Sequence, residues 1–89
     1  MILSQTKAFV RDNNKIKMSA KHFTRFVKYL YLLSQSEPLP PEAKDHPLQG
    51  EWVDFREFHV SGDLLVIYQL EADVIKLVRM GTHNQLFKG

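Results

Sequence analysis

The chain has 89 residues, 44% of them hydrophobic and 25% charged, with a formal net charge of +2. That is room for one small domain spanning 1–89, at a composition close to the globular average, so two cores and a disordered chain are both excluded. Cysteine is absent, which removes disulfides, zinc–thiolate sites and a cysteine nucleophile. No apolar run approaches the roughly 20 residues of a membrane span, and Met1–Lys7 has no apolar signal core. The expectation is a cytoplasmic domain with no membrane partner.

The charge is unevenly spread. Residues 1–44 carry eight Lys/Arg against three Asp/Glu, and residues 45–89 carry four against seven. A basic half on a small domain suits a polyanion such as nucleic acid, or an acidic protein. It is equally the pattern of two solvated, Lys-rich helices.

Ser4 or Thr6 can cap a first helix that runs to about Lys15, with Asp12 and Asn13-Asn14 weakening its end. Ser19 caps a second helix, and Met18 and Phe23 fall at the two positions of a hydrophobic staple. Phe23, Phe26, Val27, Leu30 and Leu33 repeat at helical spacing and predict its buried stripe. Lys21, Arg25 and Lys28 then face water or an anion. Three prolines between Pro38 and Pro41 end the helical half, and a loop of about fourteen residues reaches Gly50, long enough to suggest function. Trp52–Val60, Leu64–Leu70 and Val74–Met80 read as three strands separated by turns at Ser61-Gly62-Asp63 and Glu71-Ala72-Asp73. The layout is α+β: two N-terminal helices on a small antiparallel sheet, with Met1-Ile2-Leu3 as a short additional edge strand.

His22 lies beside the basic stripe and reads as a surface residue. His46, His59 and His83 fall at boundaries between elements, with Asp63 in the turn after His59 and Arg79 near the end of the last strand. Antiparallel arithmetic puts His59 and Asp63 at one end of the sheet and His83 nearer the other, and spacing alone leaves their convergence open. Each residue also has a purely structural reading. Strand-end histidines finish backbone hydrogen bonds, Asp63 caps its turn, and Arg79 pairs with a strand carboxylate such as Glu57. If the groups do meet, imidazoles suited to acid and base work near neutral pH stand with a fixed cation that grips phosphate. That set fits metal-free RNA cleavage, in which a base takes the 2′-hydroxyl proton, the oxygen attacks phosphorus and an acid protonates the leaving 5′-oxygen. His-His-Asp is also a ligand set, but the spacings match no short metal motif, so no metal and no cofactor is expected.

Lys44-Asp45-His46-Pro47-Leu48-Gln49-Gly50, then Trp52, Phe55-Arg56, His59-Val60, Asp63, Ile67-Tyr68, Arg79-Met80-Gly81-Thr82-His83 and Leu86-Phe87 resemble, in this order, the YafQ branch of the RelE/ParE toxin superfamily. The likeness is close over residues 44–87 and is one of layout in the helical half. It implies a RelE-like fold that brings these groups to one concave face. It also implies a bacterial type II toxin that cuts messenger RNA in the ribosomal A site without metal, restrained by a cognate antitoxin, with the toxin–antitoxin complex a candidate binder of operator DNA. Carried over by motif position, His46, His59, Asp63, Arg79, His83 and Phe87 form the active-site set. The resemblance implies proton transfer by His83, transition-state stabilisation by Arg79, an acid–base network of His46, His59 and Asp63, and support of a base or of the site's shape by Phe87. Lys7, Arg11, Lys15, Lys17, Lys21, Arg25 and Lys28 are candidate contacts to ribosomal RNA phosphates. Two departures stand out: the N-terminus is short, and Leu64 replaces an aromatic residue found in relatives. The rival expectations are a ParE-like, non-catalytic gyrase inhibitor, a degenerate antitoxin-binding module and a ribosome-independent nuclease.

Overall fold

The computed structural model describes residues 1–87. The chain opens with strand β1 (Ile2–Gln5), followed by helices α1 (Lys7–Lys15) and α2 (Ala20–Ser34). Two residues, His46–Pro47, form the short strand β2, and β3 (Arg56–His59), β4 (Leu65–Glu71) and β5 (Val74–Gly81) complete the sheet. Helix α3 (His83–Phe87) ends the described chain. The strand order is β1-β5-β4-β3-β2, antiparallel except that β1 runs parallel to β5. None of the described helices is long and apolar enough to cross a membrane.

Both expected caps are present. The Thr6 hydroxyl accepts from the Phe9 N–H at 3.0 Å, and the Ser19 hydroxyl accepts from the His22 N–H at 3.1 Å. Each such cap contributes about 1 kcal/mol. The face of α2 differs from expectation. Phe26, Tyr29 and Leu33 are buried, while Phe23 and Val27 are 54% and 47% exposed. Both rows satisfy a helical repeat. The sheet takes the Phe26–Tyr29–Leu33 side, because Tyr29 meets Phe58 edge-on at a centroid distance of 5.8 Å.

The stretch expected as a loop is locally ordered. Helical turns at Pro41–Ala43 and Gly50–Trp52 flank β2. Lys44 adopts a left-handed conformation (φ 50°) to turn the chain into β2. Asp45 is tied to the sheet, accepting from the Tyr68 hydroxyl at 2.6 Å and from Arg56 Nε at 3.3 Å. Burial and that bond to Asp45 push the Tyr68 hydroxyl far above its ordinary pKa, so it stays a donor.

The sheet has a core on each face. Phe58, Val66, Tyr68, Ile75, Leu77 and Met80 pack beneath the helices, around Phe9, Phe26 and Tyr29. On the other face Leu65, Ile67 and Leu86 are enclosed by Leu48, Trp52, Phe55, Val78 and Phe87. β5 changes register against β4 between Ile67 and Tyr68, leaving Val78 as an extra residue. The Thr6 hydroxyl donates to its carbonyl at 2.8 Å. This bulge turns Leu77 and Met80 to the helices and Val78 to the second core. β1 pairs with β5 only as far as Leu77, so beyond that point the edge of β5 needs another partner.

Candidate active site

His59 pairs with Leu65, which pairs with Gly81. In a three-strand meander the first and third strands run the same way, so β3 and β5 end together. The arithmetic that separated His59 from His83 is therefore corrected: His83, two residues past Gly81, lies at the same end as His59. β2 delivers His46 to that end as the register partner of Glu57.

Glu57 joins the three rings. Its Oε2 atom is 3.0 Å from His59 Nε2, 3.5 Å from His46 Nε2 and 3.9 Å from His83 Nε2. Glu57 is the one charged residue among the buried side chains described, at 2% exposure. A carboxylate so enclosed must find a donor, and His59 Nε2 at 3.0 Å supplies one. His59 is the inner ring, with its side chain 13% exposed, whereas those of His46 and His83 are 48% and 53% exposed. His46 Nδ1 lies 2.6 Å from the Lys44 carbonyl oxygen. A carbonyl only accepts, so that nitrogen carries a hydrogen, and Nε2 is the ring nitrogen that faces Glu57. Sequence reasoning weighed Glu57 only as a structural partner of Arg79.

α3 is positioned by a reciprocal cap. The Gln85 N–H donates to the Thr82 hydroxyl at 3.2 Å, and the Thr82 N–H donates to Gln85 Oε1 at 2.9 Å. Thr82-His83-Asn84-Gln85 thus spells a capping box, a signal available in the sequence. A side chain at Gly81 would stand 2.8 Å from Gln85 Oε1, so glycine permits the close approach. His83 and Phe87, four residues apart on α3, share a face with ring centroids 5.7 Å apart. Phe87 also meets Trp52 edge-on at 5.9 Å. His46, Leu48, Gln49, Trp52, Glu57, His83 and Phe87 line an open pocket of about 310 Å³, at the small end for ligand sites.

Arg79 and Asp63 stand outside this cluster. Arg79 lies in one row with Ile67 and Glu57 across the sheet, but its guanidinium pairs with Asp12 of α1, not with Glu57. Asp63 is exposed in its turn and makes no ion pair among the described residues. Of the basic residues, Lys7, Arg11, Lys15, Lys17, Lys21 and Lys28 are exposed. Arg25 is drawn inward and donates to the Val60 carbonyl at 2.9 Å, bracing the chain just after His59.

Glu57, His59 and His83 each offer a donor atom, all within 4.8 Å of one another. One carboxylate and two imidazoles are a set suited to zinc or copper. The sequence offers His-His-Asp as a ligand set and its spacings match no short metal motif; the structure places Glu57, not Asp63, with His59 and His83.

The comparisons bear on the family and the fold. A family model described as the bacterial toxin of a type II toxin–antitoxin system, YafQ, matches residues 1–88. The chain is 44% identical over 63 residues to the mRNA interferase toxin YafQ of Escherichia coli (strain K12), covering 68% of each. It superposes on a copper-bound mutant toxin from Helicobacter pylori with a TM-score of 0.89 at 32% identity, covering 97% of this chain and 98% of that one. The match to a chain of the E. coli DinJ–YafQ complex has a TM-score of 0.82 at 32% identity and covers 96% of both. With the family model spanning nearly the whole chain, and the fold shared with relatives above 30% identity, the chain belongs to the YafQ family of type II toxin–antitoxin toxins.

Proposed function

We propose that this protein is a ribosome-dependent endoribonuclease that cuts messenger RNA in the A site and is held inactive by a cognate antitoxin. The observation that carries the reading is the gathering of three imidazoles around one buried carboxylate oxygen beside an aromatic-walled pocket. A gyrase inhibitor or a pure binding module has no need of such a proton-handling cluster.

His46 and His83, the two exposed imidazoles, form the acid–base pair. One removes the 2′-hydroxyl proton. The freed oxygen attacks the adjacent phosphorus, the bond from phosphorus to the 5′-oxygen breaks, and the other ring gives that oxygen a proton. Glu57 and His59 hold the pair in place and stabilise whichever ring is protonated. Arg79 stabilises the charge that builds on the phosphate, and Asp63 serves the network from its turn once RNA is bound. Phe87 and Trp52 supply flat apolar surface against a base. The exposed lysines and Arg11 on the helical half, with Arg25 beside them, hold ribosomal RNA by its phosphates, positioning the domain without reading sequence. With its antitoxin bound, the pair is a candidate for operator DNA.

The mechanism predicts fragments ending in a 2′,3′-cyclic phosphate and a 5′-hydroxyl. Ends bearing a 3′-hydroxyl and a 5′-phosphate would show attack by water instead and contradict it.

A further inference from the structure

Past Leu77 the outer edge of β5 has lost β1, and Asp12 of α1 takes the strand's place. Asp12 Oδ2 accepts from the Met80 N–H at 3.0 Å and from Arg79 Nε at 2.7 Å, while Oδ1 accepts from Arg79 Nη2 at 3.2 Å. The carboxylate therefore grips the side edge of the guanidinium in two-point fashion and is anchored to the backbone next to the arginine it holds. Among the described residues, three of the five guanidinium N–H groups make no hydrogen bond, and they include both on Nη1. Asp12 is 16% exposed and Arg79 36%. Releasing the arginine would strip a half-buried carboxylate of two charge-assisted bonds, so the pair persists while the arginine works. Lys15 and Gln85 line the same recess as Asp12 and Arg79. The recess holds two cations against one carboxylate and adjoins α3, which carries His83.

We infer that Asp12 is a positioning residue for Arg79: it fixes one edge of the guanidinium so that the other edge meets an RNA phosphate. The inference rests on the proposed role of Arg79 in RNA cleavage. A long arginine at a sheet edge is otherwise free to rotate, and ordering it before substrate arrives removes that cost from the reaction.

The test is single-turnover cutting of a reporter mRNA on programmed ribosomes by wild type, Asp12→Asn, Arg79→Ala and the double variant. Asp12→Asn is expected to slow cutting at saturating toxin by about 10–100-fold with the half-saturating concentration unchanged. The double variant is expected to cut no more slowly than Arg79→Ala. Wild-type rates for Asp12→Asn beside a crippled Arg79→Ala would overturn this inference alone. A further tenfold loss in the double variant, on the order of one full factor of positioning, would show Asp12 acting independently of Arg79 and overturn it as well. Wild-type rates for Arg79→Ala would remove the role of Arg79 and the inference with it. A second measurement needs no variant: by NMR, the Arg79 Nε–H of the wild-type protein should be protected from exchange relative to that of exposed Arg11. Equal exchange overturns the inference.

Discussion

Glu57 and His59 stand two residues apart on β3, facing the same side of the sheet, with Oε2 and Nε2 3.0 Å apart. Alternation along a strand makes that pair adjacent. Burial makes it consequential, because the same oxygen reaches towards His46 and His83. One carboxylate thereby connects rings contributed by β2, β3 and α3.

His83→Ala and His46→Ala should each reduce mRNA cutting by about 10²–10⁴-fold, the usual share of a general acid or base. Both side chains are about half exposed, so thermal unfolding should change little. Primer extension on a translated reporter reads the first effect and circular dichroism the second. Full cutting by either variant would remove that residue from its role.

Glu57→Gln keeps the shape of the side chain but cannot stabilise a protonated ring. Cutting should fall by about 10–100-fold, as for other residues that orient reacting groups, and the pH–rate profile should change shape. An unaltered profile with an unaltered rate would make Glu57 a filler of space.

Burial alone would raise the Asp12 pKa, but the Arg79 and Met80 hydrogen bonds outweigh it and hold the carboxyl below its ordinary value. A depressed folded-state pKa contributes stability that is present above the unfolded value of about 3.9 and is lost as pH falls through the folded value. The wild type should thus be more stable than Asp12→Asn at neutral pH, and the difference should shrink as pH falls below about 4. Melting curves across that range check it; a constant difference would contradict the ion pair.

Binding to ribosomes should weaken as salt rises, because each phosphate neutralised releases counterions. Replacing Lys21 or Lys28 with Ala should lower the logarithmic salt slope by about one apiece. Filter binding across a salt series measures this, and a flat response would count against the helical face as the docking surface.

A metal on Glu57, His59 and His83 would occupy the His83 lone pair that the proposed proton transfer uses. Added copper should therefore slow cutting, and EDTA should leave the untreated protein unchanged. Loss of activity in EDTA would show that the reaction requires a metal.

Much of this architecture is readable from residue order. Thr6 and Ser19 announce their helices, and the apolar runs with their turn residues announce the meander, because periodicity and capping are local. The carry-over by motif named His46, His59 and His83, which the fold then gathers at one end of the sheet. What escaped was set by tertiary covering. Glu57 looks like an outward polar residue until Trp52, Leu48 and α3 close over that face. Asp12 looks like a helix-weakening residue until the end of β1 leaves the Met80 N–H to be satisfied. Phe23 and Val27 fit the helical repeat as well as the buried row does, and only the sheet decides between them. Thr82-x-x-Gln85 is a local signal as well: its capping box marks the start of α3.

Mapping cuts in a defined mRNA on programmed ribosomes, with wild type beside His83→Ala and with and without ribosomes, asks whether the three-imidazole cluster cuts RNA. Cuts are expected in the A-site codon with wild type alone, and only when ribosomes are present. An mRNA left intact by wild-type protein under every condition would contradict this expectation and favour a non-catalytic toxin on the same fold.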